Sequence, residues 1–228
     1  MTSTDKGIEP AAATVAPVAT PVTATGLTWG NSGPLALGGF ATTTFMLSMI
    51  YANLVPAATL PVVFGVALMF GGVAQFVAGV IQLRVGNTFG GVLFCGFGAF
   101  WLSLFAFAQL FLKAVPLTQI GHAQGLFLYG FGIFSAVMLL ASFRTSIAVV
   151  VALLLLTVAL FVIGAGNYTA STGLVKTGGW IALVLAALAF YLALAELCEA
   201  SYGREILPVG HLAKNSAIWP RSKLGSHK

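Results

Sequence analysis

GGVAQFVAGVIQLRVGNTFGGVLFCGFGAFW, from Gly71 to Trp101, holds two apolar runs joined by the short polar hinge Arg84 to Thr88. Each run is long enough to cross the hydrocarbon core of a bilayer. Small residues recur along the first run at Gly71, Gly72, Ala74, Ala78 and Gly79. Membrane helices approach closely at such positions, because burying apolar bulk gains little where lipid is equally apolar. Gln75 is the strongly polar side chain within this run, followed by Gln82 near its end. An amide at that depth needs a partner or a wet cavity. The stretch therefore predicts two packed membrane helices with a polar point on one of them.

Composition extends this reading to the whole chain. Of 228 residues 59% are hydrophobic and 7% charged, with 27 glycines. A soluble domain carries about 25% charged residues, and ten basic with five acidic residues cannot cover a soluble outer face. The fold class is an all-α membrane protein with six transmembrane helices. They are placed at about 34–54, 62–83, 89–111, 122–142, 146–166 and 178–197. Residues 1–30, rich in Thr, Ala and Pro, read as a disordered tail, 31–200 as the six-helix domain and 201–228 as a C-terminal tail. Gly166-Asn167 suits a helix stop, and Tyr168 to Thr177 reads as a polar loop. Arg84 and Arg144 fall in loops on one side, Lys113 and Lys176 on the other. The tail adds Arg204, Lys214, Arg221, Lys223 and Lys228, which places both termini in the cytoplasm.

The net charge of +5 points to lipid headgroups and orientation, not to nucleic acid. Cys95 and Cys198 lie in or near apolar runs and suit small buried hydrophobes. No phosphate-binding glycine motif, dinucleotide fingerprint or metal-ligand spacing occurs, and His122, His211 and His227 are scattered. No enzyme activity, cofactor or metal is expected. A small solute passing hydroxyls, amides and aromatic rings fits the residues. They leave open a channel, a transporter, including one for another small solute such as ammonium, and a scaffold or signalling protein that transports nothing.

The segment Asn31-Ser32-Gly33-Pro34-Leu35-Ala36-Leu37 resembles the signature Asn-Pro-Ala-Pro-Leu-Gly-Leu of the acetate uptake transporter family, the succinate–acetate permease group. Ser32 and Ala36 depart from it. Gly71 to Gln75, Gly86 to Gly90, Phe100-Trp101, Tyr191 to Glu196, Tyr202 to Arg204 and Leu207 to Gly210 are similar to that family in order and spacing. The resemblance implies a six-helix protomer, a hexamer, and passage of acetate and related short carboxylates, including succinate, by proton-coupled uptake or as an anion channel. It also implies a hydrophobic constriction at Phe40, Phe97 and Leu156, where the family's usual tyrosine is replaced by Phe97. The family glutamine falls at Gln75. With Gln75, Thr43, Thr44 and Asn31 are the candidate pathway residues.

Overall fold

The protein, described as a computed structural model over residues 29–212, is all helical apart from one isolated bridge between Ser146 and His211. Six helical spans are long and apolar enough to cross a bilayer: Gly33–Tyr51, Ala57–Arg84, Thr88–Ala114, Leu117–Ser142, Ile147–Tyr168 and Thr172–Tyr202. Their outward faces carry bare hydrocarbon, such as Val62, Leu126 and Leu140. That pattern needs lipid, not water, around it. The chain is a multi-pass membrane protein. The disordered tail expected at 1–30 falls, but for its last two residues, outside the described residues.

Several limits differ from those the sequence suggests. The second span begins near Ala57 because Pro61 sits in the first helical turn, where a missing N–H costs nothing. The stop expected at Gly166-Asn167 does not occur. The helix runs to Tyr168, and the Asn167 side chain donates back to the Ile163 carbonyl at 2.9 Å. The expected polar loop shrinks to a tight turn. Ala170 turns it in the left-handed region, φ 53°, and Ser171 then caps the sixth span by accepting from the Leu174 N–H. The sixth span therefore starts at Thr172, and Lys176 lies on a helix.

Two π-helical stretches interrupt the regular ladder: Ala67–Ala74 in the second span and Phe107–Phe111 in the third. Such wide turns are rare and gather at functional sites. The first one ends at Gln75.

Close approach of backbones holds the first three spans together. A Cβ on Gly79 would lie 2.5 Å from the Cys95 backbone nitrogen, and one on Gly98 would lie 2.7 Å from that of Phe76. The second and third spans thus touch main chain to main chain. At one end of this trio a buried polar chain pins three helix termini. The Ser32 hydroxyl donates to the Ala78 carbonyl (2.9 Å), Gln82 Nε2 donates to Ser32 Oγ (2.8 Å), and Asn87 Nδ2 donates to Gln82 Oε1 (2.7 Å). Asn87 Oδ1 caps the third span at Gly90, and Gly86 turns the chain with φ 85°.

The fourth, fifth and sixth spans form a second trio, and the sixth packs along the first. The third and fourth spans meet through rings: Phe97 with Phe134 and Phe100 with Phe127 and Phe131, at centroid distances of 5.4, 5.4 and 4.9 Å. Residues after Tyr202 fold back onto the fifth span. The carbonyls of Gly210 and Val209 accept from the N–H groups of Ile147 (2.8 Å) and Ala148 (3.2 Å). The Tyr191 hydroxyl donates to the Pro208 carbonyl at 2.7 Å.

Gly79→Ala should therefore lower the thermal midpoint of the detergent-solubilised protein, with a loss of about 1–3 kcal/mol as for overpacking. Gly65→Ala, whose Cβ meets nothing within 4 Å, should leave the midpoint unchanged.

Candidate functional site: a narrow cavity between the spans

The first, third and fifth spans run in one direction, and each contributes one large apolar side chain to the same cavity. Phe40, Phe97 and Leu156 all line a single cavity of about 50 Å³. That is room for a few waters at roughly 10–15 Å³ each. Phe40 and Phe97 meet edge to face with centroids 5.9 Å apart. The rest of the wall comes from Leu37 on the first span, Leu93 and Phe94 on the third, Val149, Ala152 and Leu153 on the fifth, and Leu185, Ala189 and Leu192 on the sixth. The surface it presents is apolar.

Gln75 lines the same cavity. Its side chain is 1% exposed, and its Oε1 has no hydrogen-bond partner among the described residues. Leaving a buried acceptor unpaired costs about 1–3 kcal/mol. The residue sits where the π-helical stretch gives way to regular helix.

The sequence candidates thus divide. Phe40, Phe97, Leu156 and Gln75 converge. Asn31, Thr43 and Thr44 do not line the cavity. Asn31 is exposed and accepts from the Gly33 N–H at 2.7 Å, holding the start of the first span. The Thr43 hydroxyl donates to the Gly39 carbonyl at 2.8 Å. Thr44 is buried, and its Oγ1 lacks a partner. Sequence reading missed the Ser32–Gln82–Asn87 chain as a unit. Gln82 was visible as a polar residue, but nothing in its spacing tied it to Ser32, fifty positions earlier.

A second, wider cavity of about 740 Å³ opens at the Tyr51 end of the bundle. It lies between the connection Asn53 to Leu60 and the turn Asn167 to Lys176. Lys176 lines it, no acidic residue does, and Asn53, Asn167, Ser171 and Thr172 add polar groups. The first span carries both cavities, separated along its axis by roughly 16 Å between Phe40 and Tyr51 at 1.5 Å per residue.

The family model described as GPR1/FUN34/yaaH matches residues 12–214. The chain is 32% identical over 182 residues to the Succinate-acetate/proton symporter SatP of Escherichia coli, covering 79% of this chain and 95% of that one. It is 35% identical over 175 residues to the Ammonia transport outward protein 2 of Saccharomyces cerevisiae, covering 74% of this chain. It spans 62% of the length of that yeast protein. Acetate permease A of Emericella nidulans is 31% identical over 201 residues, 80% of this chain and 66% of its own. A solved structure of the bacterial acetate channel SatP superposes with a TM-score of 0.75 at 28% identity, over 80% of this chain and all of that one.

The two glutamines of the second span should respond oppositely to removal of the amide. Gln82→Leu strips partners from Ser32 and Asn87 and should cost about 1–3 kcal/mol. Gln75→Leu removes an unpaired acceptor and should leave the thermal midpoint equal or higher. Thermal unfolding of both variants in detergent checks the pair.

Proposed function

The chain belongs to the GPR1/FUN34/yaaH family, and from that premise we propose that it carries acetate and related short carboxylates across the cytoplasmic membrane. The observation that carries this reading is the convergence of Phe40, Phe97, Leu156 and Gln75 on one narrow cavity inside a single six-span protomer. Support comes from the bacterial symporter and channel relatives, whose names state succinate and acetate.

An apolar ring of this width holds back water and hydrated ions by dewetting. A carboxylate crossing it loses hydration at the charged end, whereas its methyl group loses nothing. A solute that carries a proton across avoids much of the charge penalty, which favours coupling of uptake to protons. Gln75 suits both forms of the solute. Its amide NH₂ donates to a carboxylate, and after a half-turn about its last bond its oxygen accepts from a carboxylic acid. The wide cavity with Lys176 and no acid offers an electropositive mouth, which raises local anion concentration. In this reading both termini face the cytoplasm, and that mouth faces outward. Six protomers assemble, each with its own path.

The relative named for outward ammonia transport favours a second reading, with ammonia as the solute. The cavity argues against the ammonium ion, since no acidic side chain lines either space. Labelled acetate flux into liposomes containing the folded protein tests the first reading. Flux no higher than in empty liposomes sinks it, and competition by excess ammonium in place of propionate or succinate moves the assignment to the second.

Phe97→Ala and Leu156→Ala should admit larger acids such as succinate or lactate, measured as flux per folded protein across a series of acids at fixed pH. Unchanged size selectivity in both would remove the constriction assignment. Phe97→Tyr, which adds one hydroxyl at the narrowest level, should shift rate or preference with little loss of stability. Acetate uptake by the wild type should rise as external pH falls.

A further inference from the structure

Side chains from five of the six spans line the narrow cavity, and the fourth span gives none. The fourth span nevertheless touches the constriction from outside it. The Phe134 ring lies 5.4 Å from that of Phe97 between centroids. That is closer than Phe40, which lines the same cavity, at 5.9 Å, or Phe100, on the helix of Phe97 itself, at 6.4 Å. All three distances are aromatic contacts. The approach of Phe134 depends on Gly96, the residue before Phe97. A Cβ on Gly96 would overlap the Phe134 ring, lying 2.5 Å from its Cε1. The bare backbone there gives the ring its seat. The third and fourth spans are antiparallel, so Phe97 meets Phe134 and, one turn on, Phe100 meets Phe131 at 4.9 Å. This pairing order fixes the seat along the helices. Phe97 is 2% exposed, whereas Phe134 is half-buried.

We infer that Phe134 is a positioning residue that sets the size limit of the constriction, by stopping the Phe97 ring as it withdraws from the cavity; this rests on the transport reading above. A cavity of about 50 Å³ has no slack for a larger acid, so its wall must give way as one passes. Buried rings move between discrete rotamers and not by continuous sliding, because the packing around them is dense. The fourth span forms no part of the wall, so the direction from Phe97 to Phe134 leads out of the cavity. Withdrawal of Phe97 that way meets a rigid ring already seated on the main chain at Gly96. The two rings must then shift together. Phe134 lines no part of the cavity, so it meets no solute there and acts through Phe97. The width of the path is thus set in part by a helix that the solute never touches.

Phe134→Leu keeps an apolar side chain and removes the ring that stops Phe97. The ratio of lactate to acetate flux, per folded protein in liposomes at fixed pH, should rise roughly tenfold, equivalent to 1.4 kcal/mol. Phe134→Met keeps the bulk but replaces the rigid ring with a flexible chain. It should raise the ratio in the same direction with a thermal midpoint nearer that of the wild type. Phe131→Leu is the control, since it deletes a ring from the same helix contact but one paired with Phe100 and not with Phe97. Its midpoint should fall while its flux ratio stays at the wild-type value. In Phe97→Ala nothing is left to stop, so adding Phe134→Leu should leave the ratio of Phe97→Ala as it is. With para-fluorophenylalanine at position 97, the ¹⁹F signal should move in Phe134→Leu and hold in Phe131→Leu. A wild-type ratio in both Phe134 variants, an equal rise in Phe131→Leu, or a further rise on top of Phe97→Ala overturns the inference and keeps the transport reading. Wild-type protein that gives the expected ¹⁹F pattern but carries no carboxylate keeps the hold of Phe134 on Phe97 and removes the transport reading.

Discussion

The backbone of the second span lies against that of the third because Gly79 and Gly98 carry no side chain there. In water, burying a leucine would drive two helices together. In lipid that term nearly vanishes, and what remains is dispersion between closely fitted surfaces and hydrogen bonds between helices. The closeness of this pair places Gln75 and Phe97 at one level on adjacent helices, and the edge contact of Phe97 with Phe40 ties that level to the first span. Lengthening one of these approaches by a methyl group displaces the cavity wall itself.

Polar groups are treated in two opposite ways within a few turns. At the Ser32 end every step of the chain from Ala78 through Ser32 and Gln82 to Asn87 is bonded, and the three helix ends there are fixed. Nearer the middle of the spans Gln75, Thr44 and Trp101 each keep a buried polar atom unpaired. Satisfied networks give rigidity, and unsatisfied groups lower stability unless something visits them.

Much of this was legible in the sequence. Six apolar runs, the scarcity of charge and the clustering of glycine gave the membrane class and the number of spans. The family resemblance pointed to Phe40, Phe97, Leu156 and Gln75, which the structure brings to one cavity. What escaped had physical reasons. The start of the sixth span was missed because Ser171 and Lys176 look like loop residues until a cap and a left-handed Ala170 are seen. The π-helical stretch before Gln75 has no compositional mark. Trp101 entered the sequence reading only through the pair Phe100-Trp101. Its unpaired buried nitrogen is a feature that residue type alone does not show.

The backbone N–H groups of Ile147 and Ala148, which a free helix end would leave open, are closed by carbonyls from Val209 and Gly210. These partners lie beyond the sixth span and are made after it. While the fifth span enters the bilayer its first turn must keep those two donors in water or among headgroups, since the hydrocarbon offers no acceptor. The turns that follow, from Val149 to Leu156, line the narrow cavity. The wall of the cavity therefore takes its final depth in the membrane only after the sixth span and the segment behind it have been made.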